Sequence, residues 1–302
     1  MAEIKIAAIL RAGIYSPNHI GNDAAILNLT AEQLRKRGCE VRIYSEEQLI
    51  AGAVTERCVI HMCRDHRSFP ILQAMEDDGC LVLNSGYGVE NCTRERLSRI
   101  LLGSGIPYPD CLMVNTNQTV TRQMQEASME RAWIKRGDLY AQHKEDVTYV
   151  RHPEEAQEVL QEYFLRGIKR AVIMRHLDGE QVKFYGVSGT PWFQWFYPFE
   201  KSYSAAGDDS SASPASTPRF DLEAFKEACG RAADTLDIKF YGGDAIVAPD
   251  GTFSIIDFND WPSFAPCRIE ASAVIARTVL AEVKAYLKKA SKPTAKSSMK
   301  QS

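Results

Sequence analysis

Two carboxylates and an amide fall close together late in the chain, in Phe240-Tyr-Gly-Gly-Asp244-Ala-Ile-Val-Ala-Pro-Asp-Gly-Thr-Phe-Ser-Ile-Ile-Asp257-Phe-Asn259-Asp-Trp-Pro-Ser263. Asp250-Gly251 is a tight-turn pair, and the apolar runs Ala245 to Ala248 and Phe253 to Ile256 suit buried strands, so the segment predicts an antiparallel hairpin. In that hairpin Asp244 begins one strand, Asp257 ends its partner, and Asn259 shares a face with Asp257. Asp244, Asp257 and Asn259 would then converge at one end of a sheet as an all-oxygen donor set. Such a set suits a hard cation, above all Mg²⁺ carried on nucleotide phosphates, which takes only one or two protein carboxylates. The competing reading is that Asp257 and Asp260 are solvated loop acids after a strand.

The elements that would position these groups begin with a strand at 4–10, a helix at 24–37 ended by Gly38, and a strand at 41–44. A strand at 58–62, a helix at 68–78 and a strand at 81–83 follow. Strands alternating with helices predict a parallel sheet, in which ligands bind beyond the carboxyl ends of the strands. Two loops sit there. One carries Arg11, Asn18 and His19 ahead of a helix; the other carries Arg64 and Arg67. Both are candidates for an anionic substrate. His61, Cys63 and His66 do not make a zinc site, because further ligands at a recognised spacing are missing. No G-x-G-x-x-G follows a strand, so the dinucleotide fingerprint is absent.

Further along, Thr93 caps a helix that carries Arg94 in its first turn and stops at Gly103-Ser-Gly105. A strand at 132–135 ends on Lys135, and a charged loop with His143 leads to a strand at 147–150. A helix over 153–166 precedes an apolar strand, a turn at Asp178-Gly179 and a returning strand through Glu180 and Lys183. The aromatic run 192–199 reads as core and lobe packing, and 205–218 as a disordered loop. Helices at 221–236 and about 269–289 complete the chain, with 291–302 a disordered Lys/Ser tail.

The order of these features resembles the ATP-grasp superfamily, in which an acid on one strand is followed about a dozen residues later by Glu/Asp-x-Asn. Asp257-Phe-Asn259 with Trp261-Pro262 is similar to the inositol tris/tetrakisphosphate kinase branch, and Gly105-Ile-Pro-Tyr-Pro109 resembles the segment that opens the nucleotide-binding region. The resemblance implies an α/β protein of ATP-grasp fold, with an N-terminal Rossmann-like parallel-sheet lobe (1–88) and two α+β lobes enclosing ATP (89–290, the lid about 112–178). It implies ATP and two Mg²⁺ ions as cofactors, with Mn²⁺ a possible substitute. Asp244, Asp257 and Asn259 would hold metal, with Asp257 bridging, and Arg94 and Lys135 would hold phosphate. By the same resemblance His176 and Leu177 form the adenine hinge, Asp178 or Glu180 meets the ribose, and Lys183 joins the nucleotide contacts.

For the acceptor, Ser263 and Arg268 are expected to meet an anionic group together with Arg11, Asn18, His19 and Arg64. His143 is a phosphate or acceptor contact. Most of the superfamily activates a carboxylate as an acyl phosphate for ligation to an amine or thiol. A kinase acting on a polyol or inositol-phosphate-like hydroxyl, and a non-catalytic nucleotide-binding regulator, stay open beside that reading.

The 302 residues, 45% hydrophobic and 25% charged, suffice for two or three lobes. A net charge of -3 gives no electrostatic footprint for nucleic acid or an anionic membrane, and the resemblance implies a small-molecule acceptor as the partner. Eight cysteines without a C-x-x-C pair, several inside apolar runs, fit a reducing compartment. With a start that enters a strand directly and no membrane-length apolar run, the sequence reads as cytoplasmic. Nothing in it predicts an oligomeric state.

Overall fold

A computed structural model describes residues 4–15, 20–138, 143–198 and 219–291. It opens with β1 (Ile4–Ile9), α1 (Ile20–Arg35), β2 (Cys39–Tyr44), α2 (Glu46–Ile50), β3 (Cys58–His61), α3 (Ser68–Asp77) and β4 (Leu81–Leu83). The four strands form a parallel sheet in the order β2-β1-β3-β4, as strand and helix alternation requires. Helix α1 starts four residues before the expected Ala24, and Gly38 beyond its end takes φ +85°, the left-handed turn that lets the chain reverse into β2.

Helices α4 (Gly86–Asn91) and α5 (Arg94–Gly103) lead to a second unit. It contains β5 (Cys111–Asn115), α6 (Thr121–Glu126), β6 (Ala132–Arg136), β7 (Val147–Val150), α7 (Pro153–Leu165) and β8 (Arg170–Arg175). These strands pair antiparallel in the order β5-β8-β6-β7, over a core of their own that includes Ile134, Leu160, Tyr163 and Ile173. The third unit holds β9 (Glu180–Val187), β10 (Phe193–Phe196), α8 (Leu222–Leu236), β11 (Phe240–Val247), β12 (Phe253–Asp260) and α9 (Arg268–Ala290). Its sheet is antiparallel, in the order β10-β9-β11-β12.

The first and third units are not separate bodies joined by a linker. One continuous core runs from Ile6, Ile26 and Ile60 through Phe240, Trp261 and Phe264 to Ile275 on α9. At the seam, the side chain of Asn84 accepts from the Lys239 and Phe240 backbone N–H groups, both at 2.9 Å, and donates to the Phe240 carbonyl at 2.9 Å. A buried amide with its donor and acceptor both paired is a strong positional constraint, and here it ties the start of β11 to the end of β4.

His61 reinforces the seam. Its Nδ1 accepts from the Cys63 N–H at 3.2 Å, so Nε2 carries the proton and donates to the Asn84 carbonyl at 2.8 Å. Burial lowers its pKa to about 4, and the ring stays neutral. With both ring nitrogens spent, it has nothing to offer a zinc ion. Among the described residues no group of three or more His, Cys, Asp or Glu could hold a metal, and no helix is long and apolar enough to cross a membrane.

Candidate active site

The predicted hairpin is present and longer than its sequence signals. Strand β11 starts at Phe240 and β12 runs to Asp260, so Asp244 and Asp257 sit within the strands rather than at their ends. They are direct register partners, at a bulge between Asp244 and Ala245 that moves the pairing by one residue. A bulge of this kind re-aims side chains, and it accompanies the convergence of the two carboxylates. Gly242 and Gly243 lie inside β11, ahead of the strand start expected at Asp244, and close packing there excludes a side chain: a Cβ on Gly243 would lie 2.2 Å from the Asp257 carbonyl oxygen.

Asn259, opposite Gly242, donates through Nδ2 to Asp257 Oδ2 at 3.4 Å. The three expected metal ligands are therefore neighbours. Each carboxylate is also paired with an internal cation. Arg94, the first residue of α5, reaches Asp257 Oδ1 through Nη1 at 2.6 Å, and Lys183 Nζ lies 3.3 Å from Asp244 Oδ1. Gln181 Nε2 donates to that same Asp244 oxygen at 2.7 Å. Burial alone would raise the Asp257 carboxyl, but the Arg94 guanidinium and the Lys135 ammonium outweigh it and hold it below the ordinary carboxylate value.

Lys135, on β6, is 6% exposed and comes from the second unit. Its ammonium donates to the Ile256 carbonyl at 3.0 Å and touches Met174 Sδ at 3.2 Å. Burial, then the nearby Arg94, lower its pKa to about 8, with Asp257 opposing both. Such an amine gains most from an anion that enters the same space.

That space is a cavity of about 600 Å³ between the second and third units. Arg94, Lys135, Asp244 and Asp257 line it together with an apolar set, Val147, Met174, Leu177, Ile246 and Ile256. The lining suits a ligand with an apolar, flat group and an anionic group, which is the form of a nucleotide. His176 and Leu177 border the cavity as expected of a hinge. The His176 backbone N–H donates to the Arg131 carbonyl at 3.0 Å. The His176 ring accepts the Trp133 indole N–H through Nδ1 at 3.1 Å, and Trp133 also lines the cavity.

The two carboxylates expected at the ribose both have arginine partners. Asp178 is bonded to Arg131 at 2.5 and 2.9 Å, and Glu180 to Arg219 at 2.6 and 2.7 Å. Glu180 lines the cavity; Asp178 does not. The aromatic run is partly strand β10 and partly packing, except that Tyr197 lines the cavity.

The expected acceptor residues do not form one cluster of open cations. Arg11 is buried and clamped: it donates to Asp23 at 2.8 Å, to the Met62 carbonyl at 3.1 Å and to the Trp261 carbonyl at 3.2 Å. This joins the ends of β1, β3 and β12 and leaves Arg11 a structural part, not the exposed anion contact its loop position implied. Arg64 lies 3.6 Å from buried Asp260, which follows Asn259 on β12. Arg268 donates to Asn22 at 2.7 Å and to the Ser263 carbonyl at 3.4 Å. His143 is exposed, its backbone N–H donating to Asp146 at 3.1 Å. Asn18, His19, the 205–218 stretch and the tail 292–302 lie outside the described residues.

Sequence reasoning missed Gln181, Trp133 and the apolar lining, all placed by long-range pairing. It also missed Glu46. This buried carboxylate accepts from the N–H groups of Ala12 (3.0 Å), Arg64 (2.8 Å) and Asp65 (2.7 Å) and from Ser68 Oγ (3.0 Å), organising both loops at the carboxyl end of the parallel sheet. Its only sequence signal is its position after β2, next to the capping Ser45.

No protein-family model matches the chain, and no curated protein is detectably similar to it in sequence. Solved structures do match. A D-alanine–D-alanine ligase from Bacillus anthracis, complexed with ATP, superposes with a TM-score of 0.72 at 14% identity, covering 96% of this chain and 100% of that one. D-alanyl-alanine synthetase A from Vibrio cholerae gives 0.70 at 11% identity over 95% and 99%. The ATP-grasp ligase PsnB, complexed with a precursor peptide and AMPPNP, gives 0.58 at 14% identity over 94% and 99%. The chain has the ATP-grasp fold.

Proposed function

We propose that this chain is an ATP-grasp ligase that uses Mg-ATP to activate a small-molecule carboxylate as an acyl phosphate, which an amine or thiol then attacks, with release of ADP. The observation that carries this reading is the meeting of Arg94 and Lys135 with Asp244 and Asp257 in one cavity with an extensive apolar lining. The solved structures of the same fold support the ligase side, since those named above are ligases or synthetases.

The donor chemistry fits the metal. Two carboxylates and an amide oxygen from register neighbours supply hard oxygen ligands and no soft ones, as Mg²⁺ shared with phosphate oxygens requires. When bound, the ion would neutralise charge on the transferred phosphoryl group.

The chain's own residues do the rest. Arg94, turning from Asp257, and Lys135 hold phosphate oxygens and stabilise charge that spreads over them during transfer. The planar guanidinium can hold two oxygens at once, and the ammonium acts as a point charge. The His176 carbonyl and the Leu177 peptide orient the base, while Val147, Met174 and Ile256 exclude water beside it. The acceptor side lies toward Arg64, Ser263 and Arg268, near the end of β12. Because Arg64 and Arg268 each have a neighbouring oxygen partner, the site favours a small carboxylate over a polyphosphate acceptor.

Following the label of γ-phosphoryl-labelled ATP in a small-molecule extract tests this, with Asp257→Ala as the control. Free labelled phosphate that appears only when a carboxylate and an amine or thiol are both present supports the ligase. Label on an organic hydroxyl establishes a kinase instead, and nucleotide binding with turnover no higher than the control leaves a regulator.

A further inference from the structure

Arg94 opens α5 and Lys135 sits on β6 of the second unit, yet both border one cavity and would have to reach the oxygens of one phosphate chain. Resting on the Mg-nucleotide reading above, we propose that Glu95 and Arg170 are positioning residues for Arg94: with Gly137 they close a hydrogen-bonded ring that fixes the start of α5 against the strand that carries Lys135.

The ring has three sides. The Glu95 backbone N–H donates to the Gly137 carbonyl at 3.1 Å, and the Gly137 N–H donates to the Arg170 carbonyl at 2.9 Å. The Arg170 guanidinium closes it, donating to the Glu95 carboxylate through Nε at 2.8 Å and through Nη2 at 2.7 Å. Glu95 follows Arg94 in the first turn of α5, Gly137 lies two residues beyond Lys135, and Arg170 opens β8, which pairs with β6 through Lys135 and Val172. A fork of two parallel N–H···O bonds fixes direction as well as distance.

The start of the helix depends on this tie. An α-helix leaves its first N–H groups without partners, and a capping side chain usually takes the one at the second or third position. Thr93 stands at the cap but makes no capping bond; its hydroxyl donates to the Glu90 carbonyl at 2.8 Å. The Glu95 N–H, at the second position, is taken by Gly137 from the second unit instead. The backbones that meet there are close, since a Cβ on Gly137 would lie 3.0 Å from the Arg170 carbonyl carbon. None of these bonds involves the Arg94 side chain, which can turn from Asp257 to phosphate while its Cα stays in place.

Stability alone does not account for the ring. The Arg170 and Glu95 side chains are 31% and 18% exposed, and ion pairs that reach solvent contribute little to folding. Misplacing a charged group by an ångström costs far more in the binding and chemistry it serves. Arg99 is the contrast. It donates to the same Glu95 oxygen as Arg170 Nη2, at 2.9 Å, but from α5 itself, so it cannot fix the helix against another element.

Calorimetric titration of the full chain with Mg-AMPPNP, and with adenosine, which carries no phosphate, tests this. Arg170→Met is expected to weaken Mg-AMPPNP by about tenfold or more and adenosine by less than about twofold. Arg170→Lys, which keeps the charge but not the fork, should fall between, and Arg99→Ala should change neither. Because Arg170 acts through Arg94, adding Arg170→Met to Arg94→Met should weaken Mg-AMPPNP by less than about twofold further. A folded Arg170→Met with wild-type Mg-AMPPNP affinity overturns the proposal, as does an equal loss for adenosine or an undiminished loss in the Arg94→Met background. Should Arg170→Met not fold, Glu95→Gln, which keeps the side-chain size and loses the charge, is read by the same comparisons. A wild type that binds no Mg-AMPPNP overturns the nucleotide reading itself, and the inference with it; failure of the ring alone leaves wild-type binding in place, so the two failures are distinguishable.

Discussion

Arg94 Nη1 lies 2.6 Å from Asp257 Oδ1, although 163 residues separate them in the chain. The guanidinium is 12% exposed and the carboxylate 25%, so neither ion is screened as a surface pair would be. Breaking such a pair leaves a poorly solvated charge. Arg94→Met is expected to lower stability by on the order of 2 kcal/mol, less than a fully buried pair would lose. It should also weaken Mg-AMPPNP binding by about 100-fold, since the same group is proposed to hold phosphate. Urea denaturation and titration calorimetry check the two effects, and Arg94→Lys should recover part of both.

The pH dependence follows from Lys135. Its pKa falls from 10.5 in the open chain to about 8 in the fold, chiefly through burial. Between those values the unfolded state binds more protons, so this group's contribution to stability rises with pH from about 8 to 10.5 and is flat below. The penalty at neutral pH is on the order of 3 kcal/mol. Lys135→Met lacks the titration. Denaturation at pH 7, 8, 9 and 10 should therefore show the wild type gaining on the variant only in the upper half of that range.

Glu46 presents a different kind of test, because its four donors are backbone or buried hydroxyl groups that have no charge of their own. Removing the acceptor strands all of them. Glu46→Ala is expected to lose on the order of 3 kcal/mol, more than one hydrogen bond is worth, because buried donors left unmade cost more than the bond they formed. Mg-AMPPNP affinity should change less than threefold, since no Glu46 contact reaches the cavity. A thermal melt and a calorimetric titration of the same variant separate these outcomes.

Gly243 lies in β11 beside Asp244 and opposite Phe258 of β12. A Cβ there would sit 2.2 Å from the Asp257 carbonyl oxygen and 2.6 Å from the Phe184 ring, so the backbone must move. Gly243→Ala is expected to cost on the order of 3 kcal/mol and to weaken nucleotide-dependent Mn²⁺ binding at least tenfold. Gly230→Ala, on α8 with open space around its Cβ, should do neither.

How far the sequence could be read depended on range. The parallel sheet followed from strand and helix alternation, and the hairpin from Asp250-Gly251 with its flanking apolar runs, all local signals. The bulge at Asp244 was not legible, because it is set by how β12 pairs with β11, where Ile256 is passed over between Asp257 and Ile255, while β9 pairs with β11 without a break. Arg94, Lys135, Asp244 and Asp257 could be named from spacing and resemblance, but the pairing of Arg94 with Asp257 and of Lys183 with Asp244 could not. Arg11 shows the opposite limit. A loop arginine beyond a strand is a fair anion contact until a buried aspartate and two carbonyls, one 250 residues away, are seen to take it.

Oxygen tracing tests the central claim, activation of a carboxylate by phosphoryl transfer, most directly. The chain is incubated with Mg-ATP and pools of amino acids and dipeptides whose carboxylates carry ¹⁸O, and the released phosphate is analysed by mass spectrometry. The account predicts phosphate bearing one ¹⁸O atom, in amounts that match the ADP formed and vanish in Asp257→Ala. ATP consumed with no ¹⁸O in the phosphate, or with the phosphoryl group left on a hydroxyl, would contradict it.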